Sequence, residues 1–150
     1  MIRCLALATL WTALMLAAPA IVQADAHGGP AAAVEEKVVY HINDAMLART
    51  ALRNVQNHIS ATPDARIVVV THGKGIDFLL NGARDDKGEG YETQVAGLKE
   101  RGVEFRVCRN TLKGRQLGDD AVILDAQVVP SGVAEIGRLQ AKEGFVYLKP

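Results

Sequence analysis

The sequence predicts an α/β domain, a three-layer α/β/α sandwich around a five-stranded parallel sheet. Two observations carry this. Five short runs rich in β-branched and apolar residues recur along the chain, and segments of helical period separate most of them. One of those runs, Arg66 to Thr71 (RIVVVT), is almost wholly apolar, the composition of a strand covered on both faces. Short strands alternating with amphipathic helices imply a parallel sheet, and right-handed crossovers then place helices on both of its faces.

The elements follow in order. Lys37 to Ile42 (KVVYHI) reads as the first strand, and Asn43 and Asp44 are candidate caps for the helix after it. From Ala45 to Ser60, the residues Ala48, Ala51, Leu52, Val55 and Ile59 fall on one helical face. Pro63 closes that helix, and Arg66 to Thr71 is the second strand. His72-Gly73-Lys74-Gly75 reads as a turn, with one or two helical turns from Ile76 to Leu80. Gly82 to Gly90 (GARDDKGEG) is charged and glycine-rich, so a mobile loop is expected there. Tyr91, Val95 and Leu98 have helical spacing, and Gly102 suits the end of that helix.

Val103 to Cys108 alternates apolar Val103, Phe105 and Val107 with Glu104 and Arg106, the period of a third strand. A helix is expected to start directly after it, with Asn110 or Thr111 as cap. An irregular piece with Gly114 and Gly118 leads to a fourth strand, Ala126 to Val129. Gly132 to Glu143 reads as a helix, and Phe145 to Leu148 as the fifth strand.

The first 26 residues read as a targeting segment. Arg3 supplies the positive start, and Leu5 to Val22 is apolar apart from Thr9 and Thr12. Ala24-Asp25-Ala26 is a small-x-small cleavage site, and Ala18-Pro19-Ala20 is a second one. A cleaved signal and a periplasmic protein are expected. If the segment stays uncleaved, the chain is membrane-anchored through it. Residues 27–36, beginning His27-Gly28-Gly29-Pro30, read as a flexible lead-in, and residues 37–150 as the α/β domain. Lys plus Arg and Asp plus Glu number 17 each, and the segment removes one from each side. That balance gives no footprint for nucleic acid or for an acidic membrane surface.

Cys4 lies in the targeting segment, which leaves Cys108 alone in the exported part. An unpaired cysteine in an exported protein points to an intermolecular partner or a reactive thiol. Cys108 also falls where a strand ends and a helix begins. Unpaired N–H groups and the positive end of a helix dipole favour a thiolate there, and Arg106, Arg109, Lys113 and Arg115 nearby in sequence push the same way. The competing reading is a small buried hydrophobe.

Ligands of open α/β sheets bind outside the carboxyl ends of the strands. His41, Asn43 and Asp44, then His72 to Gly75, then Cys108 and Asn110, then Pro130, Ser131 and Gly132 all fall on that edge. Other chemistries fit less well. The HGKG turn lacks both the G-x-x-x-x-G-K-S/T and the G-x-G-x-x-G spacing of phosphate loops, so no cofactor is expected. His41, His58 and His72 lack metal-ligand spacing; His58 reads as capping an exposed helix, and no metal is expected. A cysteine hydrolase with His72 or His41 as base has no nucleophile elbow around Cys108. A chain starting at His27 would offer its amine and imidazole to copper(II).

Four segments together resemble the DsrE/DsrF-like family of small sulfur-relay proteins. They are KVVYHIND, VVTHGKGIDFLL, GVEFRVCRNTL around Cys108, and VVPSGVAEIGRLQAKEGFVYLKP. The resemblance spans about Lys37 to Pro150. It implies the same five-stranded sandwich, homo-oligomers (trimers or hexamers), and a cysteine that carries sulfur as a persulfide. On this reading Cys108 is the reactive residue. Asn43, His72, Gly73, Arg109, Asn110, Ser131 and Gly132 surround the substrate, and the partner is a sulfur donor or acceptor, either a protein or a small sulfur compound. Best-studied members of the family are cytoplasmic, so an exported chain would meet other partners. The alternative is a non-catalytic oligomeric module that binds a small ligand or a protein at the same edge.

Overall fold

The computed structural model describes residues 35–150. The expected targeting segment, His27 and most of the expected lead-in lie outside them. Five parallel strands, β1 (Lys37–Ile42), β2 (Arg66–Thr71), β3 (Glu104–Cys108), β4 (Ala126–Val129) and β5 (Val146–Leu148), form one sheet in the order β4-β3-β2-β1-β5. The helices are α1 (Ala48–Ala61), α2 (Glu92–Glu100), α3 (Arg109–Gly114) and α4 (Gly132–Glu143), and tight 3-10 turns cover Ala45–Leu47, Gly73–Leu79 and Asp119–Ala121. Among the described residues no helix is long and apolar enough to cross a membrane.

The strand order explains the layers. From β1 to β4 the chain steps across the sheet in one direction, so right-handed crossovers put α1, α2 and α3 on one face. The step from β4 back to β5 reverses direction and puts α4 on the other. Side-chain alternation matches. Val38, Tyr40, Ile42, Ile67, Val69, Phe105 and Val107 join the core under α1 and α2, whereas Val39, Val68 and Val70 meet Ile136, Leu139 and Phe145. Each fully buried Val, Leu or Ile contributes about 1.5–3 kcal/mol, so β2, apolar and buried from Ile67 to Val70, is the strand that binds the two layers together.

Three expectations change. Asp44 caps the turn Ala45–Leu47 by accepting the N–H of Met46 at 3.0 Å, and the α-helix proper starts only at Ala48. His58 does not cap an exposed helix end with its side chain. Its ring is half-buried between the Tyr40 hydroxyl (2.9 Å) and the Glu36 carboxylate (2.7 Å), because α1 packs directly over Tyr40.

The charged Gly82 to Gly90 stretch is a bonded hairpin instead of a mobile loop. Asp85 accepts from the N–H groups of Lys87 and Glu89, and Arg49 of α1 grips the hairpin through Asp85, the Glu89 and Gly90 carbonyls and Gln94. The Arg49 guanidinium also lies 4.2 Å over the Tyr91 ring. Burial raises the Asp85 pKa, but the Glu89 N–H, the Arg49 guanidinium and the Lys87 N–H outweigh it and hold the carboxyl below its ordinary value. A depressed carboxyl stabilises the fold above its unfolded pKa of about 3.9 and loses that contribution as pH falls through the folded value. Arg49→Ala is expected to free the hairpin without unfolding the sheet. Amide exchange at Glu89 should rise about tenfold at neutral pH, and wild type should approach the variant only in acid. Unchanged exchange would refute the clamp.

Candidate functional site

The chain leaves β3 into α3, on the face shared with α1 and α2, and leaves β4 into α4, on the opposite face. The carboxyl ends of β3 and β4 therefore flank the crevice at which such sheets bind ligands. Cys108 is the last residue of β3, in register with Val129 of β4, and stands as the N-cap of α3 with extended backbone. Neither Asn110 nor Thr111 caps α3, since the helix already begins at Arg109.

The thiol sits under the starts of two helices. Burial pushes its pKa up, but the Gly132 N–H at the head of α4, the Thr111 hydroxyl and the N–H groups of Thr111 and Asn110 favour the thiolate and leave the pKa below the usual thiol value. The Thr111 oxygen accepts the N–H of Gly73 at 3.1 Å, which leaves its own proton free to face sulfur. Gly73 has φ +58, and its carbonyl-side neighbours follow a turn that only glycine enters cheaply. Gly132 allows α4 to close on the thiol: a Cβ there would lie 3.0 Å from the Thr71 carbonyl oxygen, 3.1 Å from the Cys108 Cβ and 3.3 Å from the His72 Cβ. Cys108 itself is 5% exposed.

The arginines expected to help the thiolate do not. Arg106 is buried and tied to Glu104 and Glu135, Arg109 forms two bonds to Asp119, and Arg115 pairs with Asp77. Each carboxylate neutralises its arginine, so the shift at Cys108 comes from N–H and O–H dipoles. The other predicted residues divide. Asn110 contributes its N–H while its side chain is exposed. Ser131 accepts the Ala134 N–H at 3.4 Å and caps α4. Asn43 follows β1, its backbone packed against Gly75, and is not among the groups that favour the thiolate.

His72 follows a different course. Its Nε2 meets the Nε2 of His41 at 2.7 Å, and the Nδ1 of His41 meets the Tyr147 hydroxyl at 2.6 Å. Burial first, then His72 and Lys149, hold the His41 pKa below the ordinary imidazole value. Thr111 and Tyr147 are the residues that sequence reasoning missed as site groups. Among the described residues, no group of three or more His, Cys, Asp or Glu side chains is placed to hold a metal ion. A groove of about 520 Å³ lies at the opposite, amino edge of β3 and β4, lined by Lys99, Glu104, Leu124 and Gln127 among others, far along the strands from Cys108.

A five-stranded parallel sandwich with a thiolate-favouring cysteine at its switch point defines the class. A profile of the DsrE/DsrF-like family matches residues 21–150, and the chain belongs to that family. The structure is similar to MTH1491 from Methanobacterium thermoautotrophicum, a protein of unknown function, with 32% identity and a TM-score of 0.67. That match covers 77% of this chain and 100% of the other. It also shares its fold with the ychN protein from E. coli at 14% identity and a TM-score of 0.65, over 77% of this chain and 99% of that one. No curated protein matches the chain.

Proposed function

We propose that this is an exported sulfur carrier that holds sulfane sulfur as a persulfide on Cys108, working as a homo-oligomer. One observation carries the reading: the thiol is met by the Gly132, Thr111 and Asn110 N–H groups and the Thr111 hydroxyl, which stabilise its anion. In the loading step the Cys108 thiolate attacks the outer sulfur of a persulfide R–S–SH. The new bond joins Cys108 to that sulfur, the old S–S bond breaks, and R–S⁻ leaves. An acceptor thiolate reverses the exchange, so no external oxidant or reductant is needed. Membership of a family associated with sulfur relay supports the reading. The donor and acceptor are thiol or persulfide groups on a protein or a small molecule.

A second reading has its own support. Cys108 is only 5% exposed, as expected of a packing residue in a module that binds a ligand or partner without chemistry. Intact-mass measurement separates the two. Polysulfide should add one sulfur mass per chain, removable by a reductant, and Cys108→Ser should abolish the addition while keeping the fold. Alkylation by iodoacetamide should stay fast as pH falls from the unperturbed thiol value of about 8.5 towards neutrality. Thr111→Val should move that profile to higher pH. A thiol that reacts only after unfolding would establish the binding module instead.

A further inference from the structure

We propose that His41 and His72 form a two-nitrogen site for a soft monovalent d10 cation, copper(I). Its ligands are imidazole nitrogens and not the thiol, although the His72 and Cys108 Cβ atoms both border Gly132. His41 lies in β1, and the His72 ring turns from the end of β2 towards β1, the neighbour on the side away from β3. Testing the proposal with Cys108 replaced makes its outcome independent of the sulfur reading.

The geometry is head to head. The ring centroids are 4.6 Å apart with planes 28° off parallel. The Nε2 atoms nevertheless approach to 2.7 Å, closer than the roughly 3.5 Å at which stacked ring atoms touch. Two imidazole nitrogens aimed at each other repel through their lone pairs unless a proton or a cation lies between them. Behind His41, the Tyr147 oxygen stands 2.6 Å from Nδ1. Accepting the Nδ1 proton there fixes the tautomer that turns the Nε2 lone pair towards His72, the orienting contact that metal-binding histidines usually have. His41 hangs from β1 and His72 from the residue that directly follows β2, its parallel neighbour in the sheet. His41 and His72 are half-buried and Tyr147 is exposed, so the pair is reached from solvent.

The ligand count selects the ion. Zinc takes four ligands, at least three of them from protein, and calcium and magnesium take oxygens. This pair offers two neutral nitrogens, and among the described residues no third His, Cys, Asp or Glu joins them in a cluster. Lys149 adds positive charge nearby, which weighs against a divalent ion. Copper(I) is satisfied by two nitrogens in a line. With metal–nitrogen bonds of about 2 Å, the two nitrogens would part by roughly 1 Å, within reach of side-chain torsions.

The test uses the full chain without a histidine tag, anaerobically, with copper(I) delivered from a chromophoric competing chelator. His27 is kept in every variant so that its contribution cancels. On a Cys4→Ser, Cys108→Ser background, copper(I) should bind at the imidazole pair. His41→Asn and His72→Asn should each weaken binding at least tenfold, and Tyr147→Phe about tenfold. Nitrogen NMR of the unsubstituted chain with silver(I) guards against variants that misfold. Both Nε2 resonances, of His41 and His72, should shift and split on coupling to silver, while those of His58, held by Tyr40 and Glu36, stay unchanged. Copper binding that is equal in the histidine variants, or imidazole resonances that respond to pH but not to silver, would overturn the proposal and leave a shared proton as the occupant.

Discussion

Replacing Gly75 by alanine is expected to lower the melting temperature by about 10–20 °C, the largest effect expected among the described glycines. A Cβ at Gly75 would lie 2.1 Å from the Ile42 carbonyl oxygen, 2.5 Å from its carbon and 2.7 Å from the Asn43 Cα. These are backbone atoms at the end of β1, bonded into the sheet, and they cannot swing aside as a flexible side chain would. Overpacking costs about 1–3 kcal/mol where side chains can adjust, so a clash with backbone belongs at or above the top of that range. Gly73→Ala should cost less, about 1 kcal/mol. Its strain is a positive φ of 58°, with the Asn43 oxygen at an ordinary 3.6 Å. Gly97→Ala in α2 meets nothing within 4 Å and should be neutral or slightly stabilising. If thermal melts ranked Gly75→Ala with Gly97→Ala, the close approach of the 73–75 turn to β1 would be wrong. Because Gly73 bonds to Thr111, Gly75→Ala should also slow Cys108 alkylation in whatever fraction stays folded.

Much of this architecture is visible in the sequence because local pattern and tertiary burial agree. The alternation of Val103, Phe105 and Val107 with Glu104 and Arg106 gave the phase of β3, and that phase puts Glu104, Arg106 and Cys108 on the α4 face. The edge location of Cys108 and Gly132 followed from strand ends alone. What escaped reading depends on residues far apart in the chain. Arg106 finds Glu135 and Arg115 finds Asp77, 29 and 38 positions away, so proximity in sequence to Cys108 misled about their charge. His41 and Tyr147 are separated by 106 positions, and their meeting depends on β5 pairing with β1, an order that periodicity does not encode. The Gly82 to Gly90 hairpin has a loop's composition; its order comes from Arg49, which no local pattern assigns to it.

Glu135→Ala is expected to cost about 3–5 kcal/mol, whereas Arg106→Met should lie near neutral or be stabilising. The Arg106 side chain is 9% exposed, held between Glu104 and Glu135, and its Nε is buried with no partner. Glu135, 12% exposed, also bonds Arg138, which in turn reaches Glu143. Removing Glu135 strands a buried guanidinium with only the more exposed Glu104. Removing Arg106 leaves Glu135 its Arg138 partner and puts an apolar chain beside β3. The Arg138 hydrogen bonds, opposed by burial and reinforced by Arg106, hold the Glu135 carboxyl below its ordinary value. Its contribution is therefore present above the unfolded carboxyl pKa of about 4.3 and is lost as pH falls through the lower folded value. Urea melts of the two single variants and the double variant, at neutral pH and in acid, measure the coupling. The double variant should recover most of the stability lost in Glu135→Ala, and the gap between wild type and Glu135→Ala should close in acid. Should Arg106→Met cost as much as Glu135→Ala, the ion pair would be a net stabiliser, contrary to the desolvation argument. Glu135 also stands in the first turn of α4, whose leading N–H faces Cys108. Its loss should loosen that turn and shift the thiol's alkylation profile upward in pH, by a route that leaves Cys108, Thr111 and Gly132 in place.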